Sequence, residues 1–347
     1  MSFFPRRLVA FTWRCTVALS LWAALLLGRP LSLSAQEASP VKVLFDTDMD
    51  TDCDDAGALA MLHAFADRGE VEILATTVSS RYRWSAPTVD AINTYYGRPD
   101  LPIGVPKGDG ATLDRQYRYP KQIAEAFPHD LSSNEEVPSA VDVYRRILAA
   151  EPDDSVVLVT VGYLTNVQDF LASEPDEHSP LSGIDLARRK VKRWVCMGGR
   201  YPHELDPGRW GNFKPDDDAA VWAAHVWPGH VVFSGLGTDV LTGAGLAATP
   251  ETNPVRRAYE LYLGDLATQR PSWDQTALLY AVRGTADLFE IERQGYNHLF
   301  PDGTNVWRLA PDDPRHLLLR RKAAPERLSG IIEALMVQPP RSEAEDH

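Results

Sequence analysis

Short apolar runs alternate along this chain with longer stretches in which apolar residues recur every three or four positions. The runs are rich in valine and leucine and are continuous, as at residues 156–159, which is typical of strands buried on both faces of a sheet. They predict strands at residues 41–46, 71–78, 101–105, 155–161, 191–197 and 231–234. The periodic stretches predict helices at residues 54–67, 86–96, 139–150, 165–172, 217–226, 254–268 and 275–282. This alternation predicts an α/β fold, with an open, mostly parallel sheet and helices on both faces.

The first 35 residues are typical of an export signal. Arg6, Arg7 and Arg14 precede an apolar stretch, and small residues ending at Ala35 form a cleavage site before Gln36. The apolar stretch, residues 15–27, is shorter than the about 20 residues that a transmembrane helix needs, which favours a cleaved signal over an uncleaved anchor. We therefore predict an exported protein, periplasmic or secreted, with no stable membrane association after cleavage. Residues 36–338 would form a single domain and residues 339–347 a disordered tail.

The chain is acidic. Its formal charge is −13, and removal of the first 35 residues, which hold four arginines and no acid, would make the charge more negative. Nucleic acids are bound largely through Lys and Arg, so we expect no nucleic-acid partner. An acidic surface fits a protein that recruits cations.

Six aspartates fall within ten residues directly after a short apolar run: Asp46, Asp48, Asp50, Asp52, Asp54 and Asp55. So many carboxylates repel each other at neutral pH, and a hard divalent cation with oxygen ligands is the usual solution. A solvated acidic turn is the alternative. The run lies between a strand and a helix, where open α/β sheets bind ligands, and this position favours a cation site.

Other predicted strands also end in polar or glycine-rich groups. Residues 78–81 (VSSR) follow the second strand, residues 162–166 (GYLTN) follow the fourth and residues 197–199 (MGG) end the fifth. Trp273 and Asp274 come later in the chain. In a parallel sheet these strand ends share one edge, so one site could gather them.

Together these segments resemble the inosine-uridine preferring nucleoside hydrolase family, in collinear order from about Val41 to Val282. The family begins with a strand that ends in DxDPGxDDA, and residues 46–56 here read DTDMDTDCDDA. Residues 159–166 (VTVGYLTN) are similar to the family segment ending GPLTN, and residues 197–199 to its MGG turn. Asn212 and Phe213, followed by residues 216–220, are similar to its FNxxxDPEAA stretch.

The resemblance implies a nucleoside hydrolase-like, Rossmann-like fold and calcium-dependent hydrolysis of the N-glycosidic bond of ribonucleosides or related ribosyl compounds by a metal-activated water. Asp48 would be the catalytic base, and Asp54 and Asn212 would bind the ribose of a small-molecule ribosyl substrate. The positions that would hold Ca²⁺ are Asp48, Asp55, Val161 through its main-chain carbonyl, and Asp274. The chemistry fits, because carboxylates stabilise an oxocarbenium-like transition state and a cation lowers the pKa of water. The family also often forms dimers or tetramers, which leaves a homo-oligomer open.

The chain departs from the family pattern at three places. The ribose-contacting Asn that the family has after its second strand falls near Ser80 or Arg81 here, so this role is carried over to no residue. The aspartate motif is two residues longer, so that alignment from its C-terminal end would make Asp50 the base, whereas the strand register favours Asp48. Trp273 stands where many members have a His that helps to protonate the leaving base. An indole is no useful acid, so Trp273 is predicted to bind the substrate by stacking on a base or by forming a pocket wall. His203 is one candidate replacement acid, and Asn166 is predicted to cap a helix.

Two further functions remain open. Trp273 in place of His suggests a non-catalytic relative that holds a metal and a ribosyl ligand. A haloacid-dehalogenase-like phosphatase also places DxD after its first strand, but its motif DxDx[TV] needs Thr or Val where this chain has Asp50. Base release would distinguish the hydrolase from both.

Overall fold

The structure, a computed structural model, describes residues 39–108, 119–199, 201, 208–209, 211–265, 268–312 and 315–341. In chain order the strands are β1 (Val41–Thr47), β2 (Val71–Val78), β3 (Val156–Thr160), β4 (Val191–Met197), β5 (Gly208–Arg209), β6 (Val231–Ser234), β7 (Leu241–Thr242), β8 (Arg270–Pro271), β9 (Phe289–Glu292), β10 (Tyr296–Leu299), β11 (Thr304–Arg308) and β12 (His316–Arg321). The helices are α1 (Asp54–Asp67), α2 (Ser85–Tyr95), α3 (Pro120–Ala126), α4 (Ala140–Ala150), α5 (Thr165–Ala172), α6 (Gly183–Lys190), α7 (Asp217–Val226), α8 (Pro254–Leu263), α9 (Trp273–Arg283) and α10 (Pro325–Met336). Short 3-10 turns lie at Asn134–Glu136, Gly211–Phe213 and Ala244–Ala248.

Seven strands form the central sheet, in the order β2-β1-β3-β4-β6-β12-β9. Every neighbouring pair is parallel except β12 and β9, which are antiparallel. The strands β10, β11 and β5 form a second, small sheet, and β7 pairs with β8. The predicted α/β fold with a mostly parallel sheet is confirmed.

Alternate residues of the central strands enter two apolar cores, one on each face of the sheet. In β1, Val43 and Phe45 belong to one core and Leu44 to the other. Helices α1, α9 and α10 cover the first core, and α4, α5 and α7 cover the second. Because both faces are covered, β3 is buried along its whole length, and its sequence reads as an unbroken apolar run.

The prediction of a strand at residues 101–105 is wrong, because this segment has no regular secondary structure. This segment runs beside β2 and accepts hydrogen bonds there, from Thr76 N to Pro102 O (2.9 Å) and from Val78 N to Gly104 O (2.8 Å). Pro102 has no N–H with which to continue a ladder, and Val105 forms only an isolated bridge with Ser139. The edge of the sheet is therefore covered by irregular chain.

Several boundaries also differ from the prediction. Helix α8 ends at Leu263 because Gly264 takes the left-handed conformation (φ 78°), which glycine adopts readily. Helix α9 begins two residues earlier than predicted, at Trp273. The sequence patterns also missed α6, α10 and the strands β9 to β12.

The predicted export signal lies outside the described residues. Within the part of the chain that the structure describes, no helix combines the length and the apolar character that a membrane span requires.

Candidate active site

The aspartate run extends from the end of β1 through the following loop into α1, at the carboxyl edge of the parallel sheet. Asp46 lies within β1, and Asp54 and Asp55 form the first turn of α1. All six aspartates are buried except Asp52, whose side chain is 38% exposed. The N-terminus of α1 contributes partial positive charge, which offsets only a small part of this crowding.

A cavity of about 310 Å³ opens at this edge of the sheet. The structure brings all the predicted site residues to its wall: Asp48, Asp54, Asp55, Val161, Asn212, Trp273 and Asp274. Thr51, Asp52, Tyr163, Met197, Gly211 and Lys214 complete the lining. Residues from five separate segments therefore meet in one place, although their individual roles remain predictions. The predicted acid His203 lies outside the described residues.

Two groups of carboxylates could hold a metal ion, and Asp55 belongs to both. They are Asp48, Asp52 and Asp55, and Asp54, Asp55 and Asp274, with ligand oxygens within 4.8 Å of one another in each group. Asp274 Oδ1 is buried and has no hydrogen-bond partner among the described residues, as expected of an oxygen that faces a cation. The donors are all oxygens, which fits a hard divalent cation such as Ca²⁺.

The raised pKa values of the carboxyl groups on this wall also fit a cation site. Burial raises the pKa of the Asp48 carboxyl well above its usual range, and repulsion by Asp55 and Asp50 raises it further. Burial and neighbouring aspartates likewise raise the pKa of Asp55 and that of Asp274. A bound cation reverses such shifts, because it favours the charged carboxylates.

Asp46 does not line the cavity. One of its oxygens, Oδ2, accepts hydrogen bonds from Thr77 (2.8 Å), Tyr144 (2.9 Å) and Asn166 (2.8 Å). Burial raises the pKa of Asp46 to about 6, against the lowering effect of these donors. Asp46 therefore holds the end of β1 to the neighbouring elements.

The predicted capping role of Asn166 is wrong. Helix α5 begins after Leu164 and has no side-chain cap, whereas Asn166 Nδ2 donates to Asp46 Oδ2 and to the carbonyl of Val78 (2.9 Å). Asn166 thus lies two residues beyond the capping position, Leu164, and it joins the ends of β1 and β2 instead.

The two candidates for the base have different surroundings. Asp48 lines the cavity, and Asp50 does not. Asp50 is fully buried and accepts a hydrogen bond from the hydroxyl of Tyr163 (2.7 Å). Burial raises the pKa of Asp50 to about 6.

Asn212 and Trp273 line the cavity, and each also donates hydrogen bonds to other groups of the protein. Asn212 Nδ2 donates to the carbonyl of Val161 (2.5 Å) and to that of Met197 (3.0 Å), so it joins the ends of β3 and β4. Trp273 is half-buried, and its indole N–H donates to Thr238 Oγ1 (3.1 Å). This hydrogen bond fixes the ring as part of the wall.

The sequence patterns missed Arg270, whose guanidinium lies behind the acidic wall. Its Nη2 contacts Asp54 Oδ1 (2.5 Å) and Asp52 Oδ2 (2.6 Å), and its side chain is only 7% exposed. No motif marks this arginine, because its carboxylate partners lie more than 200 residues away in sequence. The only available signal was its place three residues before Trp273.

Comparison with known proteins places these features in a family. The model of the inosine-uridine preferring nucleoside hydrolases matches residues 43–282, well over half of the chain. No curated protein matches the chain significantly.

Solved structures share the fold at low sequence identity. A plant nucleoside hydrolase is 19% identical, with a TM-score of 0.62 over 86% of this chain and 100% of its own. An inosine-uridine preferring nucleoside hydrolase from Bacillus anthracis is 16% identical, with a TM-score of 0.60 over 85% and 99%. The type III effector protein XopQ, complexed with adenosine diphosphate ribose, is 16% identical, with a TM-score of 0.57 over 87% and 94%.

The extent of the family match confirms the resemblance seen in the ordered motifs, and with it the prediction of a hydrolase that acts on N-glycosyl bonds. The acidic groups at the cavity agree with a metal-dependent family. This chain belongs to the inosine-uridine preferring nucleoside hydrolase family.

Proposed function

We propose that this protein is an exported enzyme that hydrolyses the N-glycosidic bond of ribonucleosides or related ribosyl compounds, with Ca²⁺ in its active site. The main support is the cavity, whose wall combines five aspartates with Val161 and two aromatic residues, Tyr163 and Trp273. Export rests on residues 1–35 alone.

The residues present fit a calcium ion. The predicted ligands Asp48, Asp55 and Asp274 fall in the two overlapping acidic groups that share Asp55, and the carbonyl of Val161 would add a further oxygen. Asn212 holds the same carbonyl, and this hydrogen bond fixes its direction. When bound, the cation would offset the carboxylate charges, increase the acidity of a nearby water and orient the sugar hydroxyls.

Asp48 is the residue that would take the proton from the attacking water. It lies on the cavity wall, and next to a cation its carboxylate is charged at neutral pH and can act as a base. Asp54 would accept hydrogen bonds from the ribose hydroxyls, and the surrounding carboxylates would stabilise positive charge that develops on the sugar.

Trp273 would face the leaving group. Its indole N–H is already bonded to Thr238, so the ring offers a flat apolar surface and no proton. Stacking of a nucleobase on such a ring is worth about 1–3 kcal/mol in nucleic-acid complexes, enough to select substrates with an aromatic base. The wall therefore favours binding of the base over its protonation.

The first test is base release. The purified protein is incubated with purine and pyrimidine ribonucleosides, nitrophenyl riboside and adenosine diphosphate ribose, with calcium or with a chelator. We expect calcium-dependent release, and a loss of about 10²–10⁴-fold in Asp48→Asn because a general base contributes that much.

Asp50→Asn is the matched control, since Asp50 belongs to the same loop but does not line the cavity. A larger loss in Asp50→Asn than in Asp48→Asn would reverse the assignment of the base. Calcium-dependent binding without release would support the non-catalytic relative, and turnover of a phosphate ester with magnesium alone would support the phosphatase.

A further inference from the structure

Arg270 connects the carboxylate that faces the ribose with the ring that faces the leaving group. On one side its Nε (3.1 Å) and Nη2 (2.5 Å) contact the same oxygen of Asp54, Oδ1. On the other side its guanidinium carbon lies 5.3 Å from the centre of the Trp273 ring and 4.8 Å from that of Tyr262. Both distances are within the range of a cation–π contact.

Burial of the Arg270 guanidinium costs free energy unless the guanidinium is paired with carboxylates. A guanidinium that is buried to this degree loses most of its hydration, and carboxylate partners must replace it. Asp54 is 2% exposed and provides one partner, and Asp52, from the part of the motif that is longer than the family pattern, provides a second. Arg270 thereby balances a carboxylate that the usual motif lacks.

The contacts also fix the direction of Asp54. Both contacts from Arg270 fall on Oδ1, so they do not occupy Oδ2. A carboxylate held at one oxygen by two N–H groups cannot rotate freely, and its other oxygen keeps a fixed direction relative to the ligand. Asp54 lines the cavity, whereas Arg270 does not touch it.

We propose that Arg270 is a positioning residue that sets the selectivity for ribose over 2′-deoxyribose. It holds Asp54 ready to accept hydrogen bonds from the sugar hydroxyls, and it holds Trp273 at a fixed distance from that carboxylate. This inference rests on the proposed function, since it assigns a role within the same cavity.

The test compares Arg270→Met and Arg270→Lys with the wild type on inosine and 2′-deoxyinosine. In Arg270→Met we expect kcat/KM for inosine to fall about 10–100-fold, as for the loss of one or two good hydrogen bonds to a charged group. The value for 2′-deoxyinosine should fall much less, because that substrate lacks one of the hydroxyls. Arg270→Lys should recover part of the selectivity, since Lys keeps the charge but lacks the planar fork.

Arg283→Met is the matched control. Arg283 also forms a bidentate ion pair, with Glu70 (2.8 Å for both contacts), and also covers an aromatic ring, that of Phe65 (5.0 Å), but unlike Asp54 and Trp273 these partners do not line the cavity. We expect Arg283→Met to lower stability without changing the ratio of the two substrates. An equal loss on both substrates in Arg270→Met would overturn the proposal, because it would indicate a structural role only.

Binding separates this proposal from the proposed function. If the wild type releases no base, calorimetry of inosine and 2′-deoxyinosine in the presence of calcium still measures the sugar preference. A preference for inosine that disappears in Arg270→Met would support the positioning role even though the hydrolase proposal had failed. Equal binding of the two nucleosides by the wild type would overturn the positioning role as well.

Discussion

His63 is a residue whose surroundings make a pH-dependent contribution to stability. It is fully buried in α1, its Nε2 lies 2.9 Å from Asn93 Oδ1, and its ring stacks on Tyr96 at 4.8 Å. Burial, with a smaller contribution from Arg98, lowers the pKa of His63 to about 3. The folded protein therefore keeps this ring neutral over the whole physiological range.

The sign of the effect follows from proton binding. Above about pH 6.5 the ring is neutral in both the folded and the unfolded chain, and stability does not depend on it. Below that pH the unfolded chain binds a proton that the folded chain excludes, so stability falls by up to about 1.4 kcal/mol for each pH unit. We expect His63→Gln to reduce the pH dependence of the free energy of unfolding between pH 6 and pH 4 by one proton, as measured by urea denaturation. His230→Gln, at an exposed histidine, is the control, and identical slopes in the wild type and His63→Gln would contradict the prediction.

The sequence predicted the residues of the cavity wall well and their partners poorly. Asp48, Asp55 and Asp274 were found because ordered motifs at strand ends place them at one edge of a parallel sheet. Arg270 and Tyr163 were not assigned roles, because each pairs with an acidic residue more than 100 positions away. Such pairs depend on side-chain directions that no local pattern contains.

At the scale of the elements, Gly162, two residues after β3, lies tightly against the end of β1. A Cβ added at this glycine would overlap the backbone nitrogen of Asp48 and the hydroxyl of Ser79. Since Val161 N also donates to Asp46 O (2.8 Å), the two strand ends cannot easily separate. Glycine at this position therefore keeps the aspartate loop close to the carbonyl of Val161.

Gly162→Ala should consequently disturb both packing and the cation site. We expect a loss of about 1–3 kcal/mol in the free energy of unfolding, as for other overpacked positions. Calcium affinity should fall as well, because Asp48 and Val161 would move apart. Denaturation and calcium calorimetry measure the two effects.

Gly330→Ala in α10, where an added Cβ meets nothing within 4 Å, should instead raise stability by about 0.5–1 kcal/mol. Unchanged calcium affinity in Gly162→Ala would show that this contact does not position the ligands.

The elements that the sequence predicted best are those that place apolar side chains in the two cores on either face of the sheet. Strands β2, β4 and β6 and helices α1, α5 and α7 have the predicted ends, because burial imposes a clear apolar pattern on them. Strand β9 lies at the antiparallel edge of the sheet and has only one buried residue in four, so its pattern is weak. Residues 101–105 are largely apolar but do not form a strand. Pro102 has no N–H, and this interrupts the hydrogen bonding that a strand needs.

At the scale of the whole molecule, the cavity joins segments from most of the length of the chain. Asp54 and Asp55 begin α1, and Asp274 lies in the first turn of α9, more than 200 residues later. These two helices pack side by side against the same face of the sheet. A cation held between their first turns would therefore link two parts of the domain that are more than 200 residues apart in sequence.

This arrangement predicts that calcium stabilises the whole fold. The unfolded chain has no such cluster of ligands, so binding energy adds to the stability of the folded state. At a free calcium concentration of 100 Kd the gain should be about 2.7 kcal/mol, measured by thermal or urea unfolding with calcium and with chelator. Asp274→Asn should abolish most of this gain. Asp216→Asn should preserve it, because Asp216 caps α7 through Ala219 N (3.2 Å) and does not line the cavity, and Asn can cap equally well. If calcium stabilised Asp274→Asn as much as the wild type, the ion would not bind between the two helices, and the calcium ligands would have to be sought elsewhere in the chain.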